Sequence, residues 1–167
     1  MNPHITEPMT MLTDYLLAAW CIYLAVSLLR KAGATRRGRV GLWVVALLVA
    51  AFAALVGGTS HGFKLYLGTV RHAVVWQTTV FSIGATALLM LIAGIRSALH
   101  PNTDDREKRR RGHRWLKSGI LVSVIGLLIQ RSGWSLHEHF NYNDIYHLVQ
   151  MLGIYCFYRG ARCLHDL

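Results

Sequence analysis

The charged residues of this chain are confined to short segments, and long uncharged segments separate them. The chain has a formal net charge of +10 at pH 7, yet 53% of its residues are hydrophobic. Four stretches contain no lysine, arginine, aspartate or glutamate: 16–29, 40–63, 73–95 and 119–130. A soluble basic protein distributes its charges over its surface. Uncharged stretches that alternate with basic segments are instead typical of a protein that crosses a membrane several times.

The positions of the basic residues predict the orientation of those crossings. We expect an all-α, polytopic membrane helix bundle that forms a single domain over residues 1–167. Its five transmembrane helices are expected at about 12–29, 40–58, 73–95, 116–132 and 144–160. Of the 18 lysines and arginines, 15 follow the first, third or last of these spans. Because cytoplasmic loops carry an excess of Lys and Arg, we expect the N-terminus outside and the C-terminus inside.

The same basic segments bear on partners and localisation. They are short, adjoin the spans and are not interleaved with aromatic residues, which favours contact with anionic lipid over nucleic-acid binding. We therefore expect membrane lipids as partners, together with other membrane subunits, and no nucleic acid. The Ala-, Arg- and Gly-rich composition suggests a bacterial source. In that case the protein is a multi-pass integral protein of the inner (cytoplasmic) membrane.

Two of the predicted spans have one helix face of distinct composition, polar in the fifth span and small in the third. In the fifth, the polar residues Asn143, His147 and Gln150 fall within an arc of about 60° at 100° per residue. Such a stripe has to face the bundle interior or a water-filled cavity. The opposite face consists of Leu148, Val149, Leu152 and Phe157. In the third span, the small residues Gly84, Ala85 and Ala87 predict a face for close packing against a neighbouring helix.

Histidines and carboxylates accumulate near the predicted outer ends of the spans. Asp14, His61, Asp144 and His147 come from three separate spans at matching depth. Histidine together with carboxylate is the usual residue set of a zinc site or a general-base site. His61 and His147 are the expected metal ligands, and His139 or His137 could supply a third ligand from the outer loop. Asp144 is expected to orient a ligand or to act as a base.

Simpler interpretations of these residues stay open. Asp144 at the start of a helix is also a good N-terminal cap, favoured by the helix dipole. Asn143, Gln150 and Ser60 are suited to hydrogen bonds between helices. A single histidine at a helix end is more often a hydrogen-bonded interfacial residue than a metal ligand.

The stretch 143–155, Asn-Asp-Ile-Tyr-His-Leu-Val-Gln-Met-Leu-Gly-Ile-Tyr, resembles the last helix of the alkaline ceramidase, adiponectin-receptor-like superfamily of multi-span metal hydrolases. In that superfamily the motif is His-x3-His, where His147 matches the second histidine and Asn143 stands at the first. His61, which follows Gly-Gly-Thr-Ser, is similar to the early histidine that supplies another zinc ligand. The superfamily's serine position is Gly57, and Ser60 lies near it. The resemblance implies zinc as a cofactor, with a third ligand recruited from His139, His137 or His72.

Three functions follow from these patterns. The first is a non-enzymatic binder of a lipid or small molecule, or an accessory subunit of a membrane complex. The alternative is a zinc-dependent intramembrane hydrolase of a lipid amide or ester, with Asp144 and Ser60 as catalytic residues and Ser60 holding the polarised carbonyl. A second alternative is a haem-binding electron-transfer protein, for which His61 and His147 are the only suitably placed pair.

Overall fold

The computed structural model describes residues 5–137 and 140–167, without the side chains of residues 35 and 36, and its secondary structure is helical. Five helices follow one another along the chain: α1 (Pro8–Ala34), α2 (Arg37–Gly62), α3 (Lys64–Leu99), α4 (Arg106–Ser132) and α5 (Tyr142–Leu164). The described residues contain no strand, apart from one isolated bridge between His137 and Phe140. The predicted all-α class is confirmed, and each predicted span lies within one of these helices.

Glycines with unusual backbone angles divide the long helical runs. The helical run Pro8–Gly62 is interrupted at Gly33, whose φ of 60° and ψ of −176° separate α1 from α2. Gly68, with φ 65° and ψ 172°, interrupts the first part of α3 in the same way. This region of the backbone map is essentially restricted to glycine, because a side chain would clash there. Gly33 therefore allows the chain to reverse between the two helices.

Side-chain caps fix where α4 and α5 begin. Asp105 Oδ1 accepts hydrogen bonds from the backbone N–H groups of Glu107 (2.8 Å) and Lys108 (3.2 Å). At α5, Asn141 Oδ1 accepts from Asn143 N, and Asp144 Oδ2 accepts from Asn141 N at 2.7 Å. These two reciprocal bonds form a capping box. The start of α5 is thus set by Asp144, the residue that the sequence also offers as a catalytic base.

The bundle has two ends, which we call the site end and the basic end after the candidate site and the basic residues that lie there. At the site end, where α2 finishes and α1, α3 and α5 begin, Thr6 N donates to Gly62 O. At the basic end, Asn102 N donates to Leu164 O and so joins the α3–α4 connection to the end of α5. A chain of polar contacts closes the basic end: Trp43 Nε1 donates to Ser97 Oγ at 2.9 Å, and His165 contacts both Ser97 Oγ and Asn102 Nδ2.

The helices pack as a ring that is open at one place. α3 packs on the α1–α2 pair, α5 packs on α1 and α2, and α4 packs mainly on α5. α3 and α4 make little direct contact with each other. Polar contacts join α1 to α5 along their length, among them Thr13 to His147, Trp20 Nε1 to Met151 O, and Ser27 to Tyr158. The open place between α3 and α4 is the groove described below.

Glycines allow α4 and α5 to approach closely. Gly112, Gly119 and Gly126 recur every seven residues on α4, and Gly153 and Gly160 recur every seven residues on α5. A Cβ atom added at Gly119 would lie 2.8 Å from the Phe157 ring, and one added at Gly153 would lie 3.0 Å from Ser123 Oγ. Small residues at such spacing let two helices approach backbone to backbone. A Cβ atom added at Gly160 would lie 3.3 Å from the backbone oxygen of Gly112, so the two helices are close at these glycine rows.

The small-residue face expected on α3 is not used in this way. Gly84, Ala85 and Ala87 are exposed, and a Cβ atom added at Gly84 would meet nothing within 4 Å. The prediction that Gly84 packs against a neighbouring helix is therefore wrong. Helix α3 contacts the rest of the bundle through other positions, such as the buried Met90 and Ala93.

Four helices, α1 to α4, are long and apolar enough to cross a membrane. Helix α5 is not one of them, because polar residues such as Asn143, Asp144 and Gln150 occupy its first half. The membrane character of the bundle is thus carried by four helices, and a fifth crossing by α5 stays a prediction.

A candidate ligand site at the end of the groove

A buried carboxylate–imidazole pair lies near the site end. His147 Nε2 on α5 is 3.2 Å from Asp14 Oδ1 on α1, and the two side chains are only 9% and 6% exposed. The other ring nitrogen, Nδ1, is 2.9 Å from Thr13 Oγ1. Both nitrogens of the imidazole are therefore engaged by neighbouring residues of α1.

Thr13 links this pair to Asp144. Its hydroxyl oxygen is 3.3 Å from Asp144 Oδ1 and 3.1 Å from the carbonyl oxygen of Thr10. A hydroxyl has one hydrogen to donate and lone pairs to accept. If Thr13 donates to His147 Nδ1, the Nε2–H group of the imidazole donates to the Asp14 carboxylate. If Thr13 donates to Asp144, Nδ1–H donates to Thr13, and a second proton lies between Nε2 and Asp14. The pair can thus gain or lose one proton while both ring nitrogens keep a partner.

Asp144 has a structural position in this arrangement. It is 0% exposed, its Oδ2 atom caps α5, and its Oδ1 atom faces Thr13. Asn141, the other member of the capping box, also donates from Nδ2 to Thr10 Oγ1 at 3.3 Å. Asp144 does not line the groove. Its contacts hold the start of α5 against α1, and its predicted role as a base stays a prediction.

Glycines at the end of α2 bring α1 close enough to complete the site. A Cβ atom added at Gly57 would lie 3.3 Å from Asp14 Oδ2, and one at Gly58 would lie 2.7 Å from the Tyr15 ring. The α2 backbone therefore forms one wall of the pocket around Asp14. Asp14 Oδ2 is buried at this wall and has no hydrogen-bond partner among the described residues, so it can accept from a ligand group in the groove.

His61 lies on the same wall but has its own partner. Its Nδ1 atom is 2.9 Å from Glu7 Oε2, and the edge of its ring packs on Trp76 with ring centroids 5.8 Å apart. His61 and His147 both line the groove. The structure therefore brings these two predicted ligands to one cavity.

The three candidates for a third metal ligand lie apart from the groove or outside the described residues. His139 lies outside the described residues, His137 forms the isolated bridge to Phe140, and His72 lines a smaller cavity beside His61. Over residues 5–137 and 140–167, no group of three or more His, Cys, Asp and Glu residues is arranged to hold a metal ion. The metal site stays a prediction that rests on His61 and His147.

The groove itself extends from this site along the bundle. It has a volume of about 720 Å³ and runs between one face of α3 and one face of α4, with α2 and α5 behind. On α3 its lining runs from Trp76 to Ala98, a distance of about 33 Å at 1.5 Å per residue. Apolar residues form most of the wall, among them Ala50, Ile83, Met90, Ile120, Val124 and Phe157. Asp14, His61 and His147 lie at one end, and His113 and Lys117 lie toward the other.

The polar stripe of α5 was predicted with partial success. Asn143, His147 and Gln150 line the groove, and Leu148 and Leu152 on the opposite face are exposed, as expected. Phe157 is an exception, because it lines the groove and packs on Trp43 instead of facing outward. Sequence patterns alone do not identify Thr13 or Glu7 as site residues. The only available signal was their position within one or two turns of Asp14 on α1.

No curated protein and no solved structure matches the chain. One family matches it, in two segments of residues 9–107 and 104–166, which together cover almost all of the helices. The chain therefore belongs to the family described as "family of unknown function (DUF6962)".

Proposed function

We propose that this protein is a membrane protein that binds a single lipid-like molecule in the groove between α3 and α4. The apolar part of the ligand lies along the groove, and a polar group lies against Asp14 and His147. The observation that carries the proposal is the combination of a long apolar groove with a buried, hydrogen-bonded carboxylate–imidazole pair at one end. Ionisable residues inside a membrane protein usually mark a functional site, because the bilayer disfavours them.

The shape of the groove supports a lipid over a partner helix. Its volume lies in the range of about 300–1,000 Å³ that is usual for small-molecule sites. All the empty space of the groove, including its open side, is about 2100 Å³. A helix that filled the same length would occupy on the order of 3,000 Å³, given its diameter of about 10–12 Å. A ligand that is long, thin and apolar fits this space better.

Blocking the middle of the groove tests this proposal. Ala87 lines the groove, whereas Ala85 on the same helix does not, and both side chains are exposed. Ala87→Trp should lower the amount of lipid retained through detergent purification by at least about tenfold, because an indole would fill the groove. Ala85→Trp should retain lipid like the unmodified protein. Native mass spectrometry of both variants measures the retained lipid, and equal retention by both would contradict the proposal.

We also propose that all five helices cross the membrane, with the site end outside and the basic end in the cytoplasm. Support comes from the 15 basic residues assigned to one side, which belong to helix ends and connections at the basic end. Short basic segments next to spans favour the cytoplasm. A cysteine placed at position 106 should react with an impermeant thiol reagent only after the cells are opened. Labelling in intact cells would contradict this orientation.

A zinc-dependent hydrolase of a lipid amide or ester is a second candidate. One observation favours it, namely that Asp14, His61 and His147 line the same cavity. It requires about one zinc ion per chain, and one ring nitrogen of His147 would have to exchange its present partner, Asp14 or Thr13, for the metal. Metal analysis of the purified protein separates the two candidates. A haem absorption band would instead support the bis-histidine alternative.

A further inference from the structure

We propose that a second, smaller cavity at the site end binds the phosphate of a phospholipid whose acyl chain lies in the groove. This inference rests on the proposed lipid-binding function and specifies the ligand class. The cavity has a volume of about 230 Å³ and is lined by Glu7, Ser60, His61, Lys64, His72 and Trp76.

The small cavity adjoins the groove. His61 and Trp76 line both spaces, and the edge-to-face contact of their rings forms the boundary between them. One molecule can therefore have an apolar part in the groove and a polar part beyond His61. In a membrane, the corresponding molecule is a lipid whose headgroup lies at the end of its chain.

Two side chains of the small cavity suit an anion. Lys64 supplies a positive charge, and a ring N–H of His72 can donate a hydrogen bond. Among the described residues that line the cavity, the one carboxylate is Glu7, whose Oε2 atom is 2.9 Å from His61 Nδ1. The described residues around it form no group able to hold a metal ion. The groups left to interact with a ligand are therefore hydrogen-bond donors.

Ser60 provides the independent observation. The residue is 1% exposed and lines the small cavity, and its hydroxyl has no hydrogen-bond partner. A buried hydroxyl without a partner is unfavourable, so it is usually satisfied by a ligand or water. Ser60, Lys64 and His72 together offer three donors, which suits the several acceptor oxygens of a phosphate. A carboxylate has fewer oxygens to share among them.

Matched lipids test the inference. Phosphatidylglycerol and diacylglycerol with the same acyl chains are titrated against the purified protein, and binding is followed by native mass spectrometry. The unmodified protein should bind phosphatidylglycerol at least about tenfold more tightly. Lys64→Gln and Ser60→Ala should remove most of this preference while leaving the affinity for diacylglycerol unchanged. Arg71→Gln removes an exposed charge of α3 that does not line the cavity, and should keep the preference.

The outcomes distinguish the two proposals. Equal affinity of the unmodified protein for both lipids overturns the phosphate site and leaves the lipid-binding function intact. Failure to bind either lipid overturns the proposed function. Inorganic phosphate is added alone and with diacylglycerol as a further arm. If inorganic phosphate binds on its own as tightly as phosphatidylglycerol does, the headgroup assignment is wrong.

Ser60→Ala should unfold at the same temperature as the unmodified protein, because its hydroxyl has no bond to lose.

Discussion

His147→Leu is expected to lower the free energy of unfolding by about 1–3 kcal/mol, because the substitution leaves the buried Asp14 carboxyl group without its hydrogen-bond partner. The 3.2 Å contact between His147 Nε2 and Asp14 Oδ1 would be lost, and so would the contact of Nδ1 with Thr13. Leucine is favourable in a membrane, so insertion itself should be unaffected. Thermal unfolding in detergent, compared with the amount of protein in the membrane fraction, measures the two effects separately.

A double variant shows whether the loss comes from the unpaired carboxyl group. Asp14→Leu combined with His147→Leu removes both partners, so it should recover much of the stability that the single variant loses. It should still retain less lipid than the unmodified protein, because the polar end of the groove is gone. Leu148→Ala, at a side chain that is 47% exposed on the opposite face, is the control and should change both properties little. Equal damage from His147→Leu and Leu148→Ala would contradict a specific role for the pair.

Gly119→Leu is expected to destabilise the bundle by about 1–3 kcal/mol or more, because it overfills the α4–α5 interface. A Cβ atom at Gly119 would lie 2.8 Å from Cε1 and 2.9 Å from Cδ1 of Phe157. The Phe157 ring is itself held against Trp43, with ring centroids 6.2 Å apart, so it cannot move aside freely. Because Phe157 also lines the groove, retained lipid should fall together with the unfolding temperature.

Gly84→Leu provides the matched comparison on α3. Nothing lies within 4 Å of a Cβ atom added at Gly84, and the residue is exposed. Leucine is a better helix former than glycine and is favoured in lipid, so the variant should be as stable as the unmodified protein or slightly more stable. If Gly84→Leu were the more damaging substitution, the assignment of the close helix contact to α4 and α5 would be wrong.

The sequence predicts the helices well because the segregation of charges marks long apolar segments of the chain. It underestimates their lengths, since hydropathy marks the apolar part of a helix and misses its capped ends. Helix α4 begins at Arg106 because Asp105 caps it, although its first turns are strongly basic. The fifth helix is recognised from its polar stripe, which hydropathy alone does not score.

Packing is less predictable than helix position. The seven-residue spacing of Gly112, Gly119 and Gly126 is visible in the sequence, but so is the small-residue run on α3 that remains exposed. Which small residues meet a neighbour depends on which helices are adjacent, and the sequence pattern of one helix does not contain this information.

The candidate site is likewise predictable from the sequence only in part. Of the four residues that matching depth groups together, Asp14, His61 and His147 line one cavity, whereas Asp144 caps α5 and does not line the groove. Matching depth does not predict that His61 pairs with Glu7 or that His147 pairs with Asp14 and Thr13. Those pairings depend on the rotation of each helix about its axis and on the close approach allowed by Gly57 and Gly58.

Few contacts join α3 to α4, so the boundary between these two helices is the place where the bundle can open. Moving α3 and α4 apart would therefore cost little packing energy. Helices α4 and α5, in contrast, are held together along their glycine rows. The two segments that match the family overlap at residues 104–107, where the connection from α3 leads into α4. The α4–α5 pair is therefore the rigid side of the groove, and α3 forms the side that can be displaced. A molecule could then enter the groove between α3 and α4 while the rest of the bundle stays folded.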